Sequence, residues 1–178
     1  MEAGSPPPLR IRPACPADVP ALFRMKRALS LAEGNEAVLR ARESDWLRDG
    51  FGPAARFRCF LAELGEIPVG MASYSETYMT ALGGAIFSIQ DLYVEPERRQ
   101  LGAGRALVAA VAAAALEQGV PLIELTVLDQ NPARRFYRRL GFAHFAGCLT
   151  YALGGEAMLV LAAPAAAPSV KQPLTITR

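Results

Sequence analysis

Apolar residues recur with two different periods along this chain, and each period predicts a type of secondary structure. Some segments place them at i, i+3, i+4 spacing, which indicates amphipathic helices, and others alternate or form short β-branched runs, which indicates strands. The predicted helices are Ala17–Ser30, Glu43–Asp49, 105–118 and Pro132–Leu140. The predicted strands are Leu9–Arg12, Phe57–Leu64, Ile67–Thr77, Ala85–Val94, Leu122–Leu128 and a final pair, Phe142–Tyr151 with Glu156–Leu161.

The order of these elements indicates the fold class. Two strands joined by the short turn Gly65-Glu66 predict an antiparallel hairpin. A long alanine-rich helix between two later strands predicts one right-handed parallel crossover. We therefore expect an α+β fold with a central mixed, mostly antiparallel sheet. The folded domain is expected to span residues 9–161, between a Pro/Gly/Ser-rich leader (1–8) and an Ala/Pro-rich flexible tail (162–178).

Composition excludes several classes of function. The chain has 178 residues, 52% of them hydrophobic, and a net charge of +2, which is too mild for a nucleic-acid-binding surface. The longest apolar run, Ala106–Leu116, is too short to span a bilayer. Three widely spaced cysteines and one histidine form neither a disulfide framework nor a metal-binding pattern. We expect a cytoplasmic protein that binds no metal, nucleic acid or membrane.

The segment Arg99–Gly104 has the pattern R-x-x-G-x-G and lies between a predicted strand and a predicted helix. Glycines there permit positive φ and close approach of a ligand to the backbone. The unpaired amides at the start of the helix, with the helix dipole, would form an anion site suited to a pyrophosphate. A tight turn without a ligand is the alternative, because a G-x-G pattern alone is weakly specific. No Gly-Lys-Ser/Thr follows, so the turn is not a P-loop.

A second motif lies on the helix Pro132–Leu140. Ala133, Phe136, Tyr137 and Leu140 share one face of this helix, and the arginines lie mostly on the others. An amphipathic helix with a solvated basic face, and Tyr137 in the core, would explain this pattern without any catalytic role. The cysteines show no partnering base and are interpreted as structural.

Together, these two motifs and the strand Ile89–Val94 followed by Pro96 resemble the GNAT family of N-acetyltransferases. The resemblance implies a three-layer fold with helices on both faces of the sheet, and acetyl-CoA bound in a split between two parallel strands. The residues it assigns to acetyl-CoA are Leu92, Tyr93, Val94, Arg99, Gln100, Leu101, Gly102, Ala103, Gly104, Arg105, Ala133, Phe136 and Tyr137, with either Gln130 or Asn131. Tyr137 would protonate the leaving thiolate.

Within the family, Ile11–Ala14 and Asp49–Gly52 are similar to the diamine (spermidine/spermine) acetyltransferases. This similarity implies a primary amine of a small molecule as acceptor, with Glu33 and Asp91 as carboxylates that bind and deprotonate it. Gln90 stands where that branch carries a glutamate, and the Asp-Pro-Trp of its preceding loop is missing. We expect a homodimer. The alternatives are a non-catalytic CoA-binding module and a protein or peptide acetyltransferase.

Overall fold

Among residues 7–145, 153 and 155–162, which the computed structural model describes, five strands form one sheet. The chain divides into two units, Met1–Leu140 and Gly141–Arg178, and the sheet lies in the first. The elements of this unit are β1 (Leu9–Pro13), α1 (Val19–Glu33), α2 (Glu43–Phe51), β2 (Arg58–Leu64), β3 (Ile67–Met79), β4 (Gly84–Val94), α3 (Ala103–Glu117), β5 (Ile123–Leu125) and α4 (Arg134–Arg139).

The strands lie in the order β1-β2-β3-β4-β5. All neighbours are antiparallel except β4 and β5, which are parallel and joined by α3. This topology confirms the predicted mixed sheet with one parallel crossover.

Helices cover both faces of the sheet, as expected. Leu61 and Met71 pair across β2 and β3 and pack with Leu22 and Met25 of α1 and Trp46 of α2. The neighbouring position, Gly70, faces the opposite side of the sheet. A Cβ placed there would lie 3.3 Å from the Leu107 side chain of α3. Alternate residues of β3 thus face α1 and α2 on one side and α3 on the other.

Alanine content explains the regularity of α3. Alanine has the highest intrinsic helix propensity, and this helix carries it at most positions. Leu107, Val108, Val111 and Ala115 follow at helical spacing and are buried. A left-handed glycine, Gly119 at φ 67°, stops the helix so that the chain can return to the sheet as β5.

An ionic network joins β1, β2 and the start of α1. The Arg12 guanidinium donates to both carboxylate oxygens of Asp18, at 2.7 and 2.8 Å, and to Glu63 Oε1 at 2.7 Å. The hydrogen bonds from Arg12 lower the pKa of Asp18 from 3.8 to about 2. The network therefore joins β1 to β2 and to the residue that precedes α1.

We expect Arg12→Met to lower the free energy of unfolding by about 1.5–3 kcal/mol at pH 7, since two carboxylates lose a charged donor. The folded-state pKa of Asp18 is depressed, so its stabilisation is present above its ordinary pKa and is lost as pH falls from 3.8 towards about 2. Urea titrations between pH 2 and 7 should show that loss in the wild type and a shallower one in Arg12→Met. Arg48→Met removes an exposed arginine that pairs with Asp45 and Asp49, and should change little. Equal effects of the two substitutions would contradict this role for Arg12.

Three predicted elements differ from the structure. The strand predicted at Glu156–Leu161 is wrong, because this segment lies in a helix, α5 (Gly155–Ala162). Its alanine, methionine and leucine residues favour helix, and an apolar run without alternation does not distinguish the two states. Residues 142–145 of the predicted strand Phe142–Tyr151 have no regular structure, and the rest lies outside the described residues. β5 is shorter than Leu122–Leu128, because only Ile123–Leu125 pairs with β4.

None of the helices in the described part of the chain is long and apolar enough to cross a bilayer.

Candidate active site

The two parallel strands, β4 and β5, separate about halfway along β4. The last pair between β4 and β5 joins Ile89 to Leu125, and Gln90–Val94 continues beyond it. A bulge begins at the same point, because Ser73 opposes Asp91 and Tyr74 opposes Ile89, which leaves Gln90 as an extra residue. Bulges bend a strand and increase its twist. The carboxyl half of β4 is therefore free to line a cleft instead of pairing with β5.

This cleft is a cavity of about 730 Å³, within the range of ligand-binding pockets. It is bounded by the end of α1, the carboxyl half of β4, the start of α3, the segment after β5, and α4. The predicted site residues that line it are Glu33, Leu92, Tyr93, Val94, Arg99, Gln100, Gly102, Ala103, Gly104, Arg105, Gln130, Asn131, Ala133, Phe136 and Tyr137.

Two predicted site residues are not among those that line the cavity. Asp91 is buried on the α1 side, where its Oδ1 accepts from Lys26 Nζ at 2.6 Å and its Oδ2 accepts from Ser73 Oγ at 2.7 Å. Leu101 is 53% exposed and lies beside a small apolar groove with Leu9 and Leu64. The cavity contains neither side chain.

The turn before α3 presents backbone amides to the cavity. The first helical hydrogen bond of α3 runs from the Ala106 N–H to the Gly102 carbonyl, so the amides of residues 103–105 precede the helical ladder. Gly102 has φ 83°, which favours glycine. The second left-handed residue of the turn is Gln100, at φ 71°, and not Gly104. Gly104 is helical, and its lack of a side chain lets the Phe136 ring approach to 3.4 Å from where a Cβ would stand.

Tyr137 lies on α4 and Glu33 at the end of α1, and both residues line the cavity. Burial raises the pKa of Tyr137 above its ordinary value of 10, and the negative charge of Glu33 adds to the effect. A phenol with a raised pKa stays protonated at neutral pH, as a general acid requires. The Phe136 ring packs edge-on against Tyr137 at 5.3 Å between centroids.

Gln130 and Asn131, the two polar residues before the turn into α4, differ in their surroundings. Asn131 Oδ1 accepts from the Ala133 amide at 2.9 Å, which fixes the turn into α4. Gln130 lines the cavity and is exposed.

Sequence reasoning missed several lining residues, among them Thr126, Val127, Leu128 and Arg139. Residues 126–128 follow the carboxyl end of a parallel strand, which is where ligands bind in sheets of this kind, so their position was a usable signal. The amphipathic pattern of α4 predicts that Arg139 belongs to a solvated basic face. With Arg99 and Arg105, it is one of three arginines that line the cavity, which suits an anionic ligand with phosphate groups.

Comparison with known proteins decides the family. The model of the acetyltransferase (GNAT) family matches residues 23–142. The chain belongs to this family. It is an acetyltransferase, and its acetyl donor is acetyl-CoA. The cavity fits that donor, because it combines unpaired helix amides and three arginines with a volume adequate for an extended ligand.

Relatives of this GNAT acetyltransferase include enzymes with named activities. It is 33% identical to thialysine N-epsilon-acetyltransferase of Mus musculus, over 86% of this chain and 96% of the relative. It is 34% identical to the enzyme of the same name from Sus scrofa, over 85% and 96%. Among solved structures, an aminoglycoside N-acetyltransferase in complex with CoA matches with a TM-score of 0.69 at 18% identity, over 85% of this chain and 98% of that one. This structural likeness confirms the fold.

Proposed function

We propose that this enzyme acetylates the terminal amine of a small acceptor with few positive charges: a lysine-like amino acid, a monoamine or a short diamine. The observation that carries the proposal is the number of carboxylates that line the cavity and could bind a positively charged acceptor. Of the described residues that line it, Glu33 alone carries a carboxylate. An amine cation in a partly closed cleft needs an opposing charge, and one carboxylate suits one ammonium group.

Two further contacts limit the negative charge that the cavity offers to an acceptor. Asp91 is neutralised by Lys26 and faces α1. Gln90 lines the cavity but is neutral, and its side-chain nitrogen donates to Ser75 and Ser88. A long polyamine, with several ammonium groups, would find few partners here. The names of the Mus musculus and Sus scrofa relatives also favour a lysine-like amine.

In the proposed mechanism, Glu33 accepts a proton from the acceptor ammonium, directly or through water. An alkyl ammonium holds that proton at neutral pH, since its pKa is about 10, and only the free amine is nucleophilic. Acetyl-CoA supplies an activated acetyl thioester. As the amine nitrogen bonds to the acetyl carbon, the carbon–sulfur bond breaks, and Tyr137 donates its phenolic proton to the departing sulfur. The second proton of the nitrogen then passes through water to the Tyr137 phenolate, which leaves a neutral amide and a neutral thiol.

The donor would be held by backbone and arginine groups. The amides of residues 103–105 bind the pyrophosphate, and Arg99, Arg105 and Arg139 supply the positive charge around it. Backbone groups of Leu92 and Val94 bind the pantetheine arm and polarise the thioester carbonyl. Gln130 is the better candidate for a side-chain contact, because Asn131 Oδ1 already accepts from the Ala133 amide.

An acceptor panel tests this function. We expect kcat/KM for a lysine analogue and a short diamine to exceed that for spermine. Glu33→Gln should lower kcat/KM for every amine by about 10²-fold, in the range of general-base effects, because the proton acceptor is lost. CoA release gives the rates, and calorimetry should show an unchanged Kd for acetyl-CoA.

The matched control is Glu36→Gln, which makes the same change at an exposed position in the turn after α1. It should leave all rates unchanged. A strong preference for spermine, or wild-type rates in Glu33→Gln, would count against this acceptor site.

A homodimer and a cytoplasmic location also belong to this proposal. Met158, Leu159 and Leu161 of α5 are 50%, 69% and 73% exposed, and a second copy would cover such apolar side chains. An odd number of widely spaced cysteines supports a reducing compartment.

A further inference from the structure

Asn35 contacts the carboxylate of Glu33 from behind the cavity. Helix α1 ends at Glu33, and Gly34 then adopts φ 67°. This reversal lets the Asn35 N–H bond back to the Ser30 carbonyl at 3.0 Å. It also brings Asn35 Nδ2 within 3.1 Å of Glu33 Oε2, to which it donates. Asn35 does not itself line the cavity, so it reaches the acceptor site only through Glu33.

The orientation of the Asn35 amide is determined by this one hydrogen bond. A carboxylate only accepts hydrogen bonds, so the amide nitrogen and not the oxygen must face Glu33. The oxygen then points the other way. In the part of the chain that the structure describes, Asn35 Oδ1 is the buried side-chain oxygen that has no hydrogen-bond partner. Buried polar atoms are nearly always paired, so an exception calls for a reason.

A neutral donor has a specific advantage at this position. Glu33 is the last residue of α1, where the helix dipole carries partial negative charge and disfavours a carboxylate. A lysine or arginine partner would offset this, but it would also repel the ammonium group of the acceptor. An amide donates a hydrogen bond without a positive charge. It can therefore fix one carboxylate oxygen and leave the other for the substrate.

We propose that Asn35 is a positioning residue that holds the Glu33 carboxylate in place for the acceptor amine. The inference rests on the proposed role of Glu33 as the group that binds and deprotonates the amine. It goes further by assigning the orientation of Glu33 to one neutral hydrogen bond from the turn after α1.

A double-mutant cycle tests this role, with Asn35→Ala, Glu33→Gln and the two combined. The acceptor is a lysine analogue, used with the full-length chain. We expect Asn35→Ala to lower kcat/KM for the amine about tenfold and to have no further effect in the Glu33→Gln background. The Kd for acetyl-CoA, measured by calorimetry, and the thermal unfolding midpoint should stay near the wild-type values.

Asn35→Asp is the second variant, because it keeps the shape of the side chain and replaces the donor by an acceptor. A residue that only fills space would tolerate this change, whereas a donor to Glu33 would not. We therefore expect Asn35→Asp to lose activity as well. Wild-type kcat/KM in Asn35→Asp would overturn the inference even if Asn35→Ala did not fold.

The outcomes separate this inference from the proposed function. If Glu33→Gln lowers kcat/KM but Asn35→Ala has no effect, or the two losses multiply, Asn35 does not act through Glu33 and only this inference fails. If Glu33→Gln itself leaves kcat/KM unchanged, the proposed base is wrong and the role of Asn35 is overturned with it. A loss for Asn35→Ala that vanishes in the Glu33→Gln background supports both.

Discussion

Tyr137→Phe should lower kcat by about 10²–10⁴-fold, the usual contribution of a general acid, while the Kd for acetyl-CoA stays close to the wild-type value. The substitution removes one oxygen and keeps the ring that packs against Phe136. In the proposed binding mode, the donor is held by the amides of residues 103–105 and by arginines, none of which changes. Single-turnover measurements with saturating acetyl-CoA would isolate the chemical step.

The pH dependence gives a second test of Tyr137. A general acid must be protonated, so its contribution is lost as pH rises through its pKa. Burial and the charge of Glu33 raise that pKa above 10, so the midpoint of the alkaline loss of kcat should lie above that pH. Tyr74→Phe is the matched control, because Tyr74 is a buried tyrosine of the core and is not among the residues that line the cavity. If Tyr137→Phe were as active as Tyr74→Phe, Tyr137 would be a packing residue.

Local patterns in the sequence predicted the parts of the site that depend on the backbone. The strand, glycine turn and helix from Ala85 to Gln118 are adjacent along the chain, and local propensity is enough to place them. The turn lies between the strand and the helix as expected, with Gly102 in the left-handed region, but α3 starts at Ala103, within the segment predicted as turn. Tyr137 reaches the cavity because the i, i+3, i+4 spacing of α4 turns its apolar face towards α3.

The bulge at Gln90 explains why Asp91 differs from the expectation of an acceptor-binding carboxylate. In a regular strand, residues two apart face the same side. Ile89 is opposite Tyr74 and Asp91 is opposite Ser73, so these two residues of β4 face different sides of the sheet. The extra residue turns Asp91 towards Lys26 of α1. No local sequence pattern predicts this bulge, because a bulge depends on how two strands pair.

The role proposed for Asn35 likewise could not be predicted from sequence patterns. Its side chain matters because Gly34 reverses the chain after α1 and aims the amide at Glu33. Whether one asparagine among several polar turn residues contacts a carboxylate that lines the cavity depends on tertiary packing, which periodicity does not report. Arg139 is a similar case, because its face of α4 is basic, and only the fold shows that this part of the face borders the cavity.

The second large effect is expected for Gly104→Val, which should weaken acetyl-CoA binding about 10- to 100-fold. A Cβ at this position would lie 3.4 Å from Phe136 Cζ and 3.8 Å from Val94 Cγ2, and both of these residues line the cavity. A single methyl group fits at those distances. The two further methyl groups of valine must either displace Phe136 and Val94 or enter the cavity, and overpacking of this kind typically costs about 1–3 kcal/mol.

Gly104→Ala separates this steric effect from a general effect on the helix. Alanine adds only the Cβ and favours the first turn of α3 more than glycine does, so Gly104→Ala should keep most of the affinity and the thermal stability. Calorimetric titration of acetyl-CoA into both variants gives the Kd values, and circular dichroism confirms that each is folded. A folded Gly104→Val variant with the wild-type Kd would show that the donor does not lie against the start of α3, and the assignment of the pyrophosphate to the amides of residues 103–105 would then be wrong.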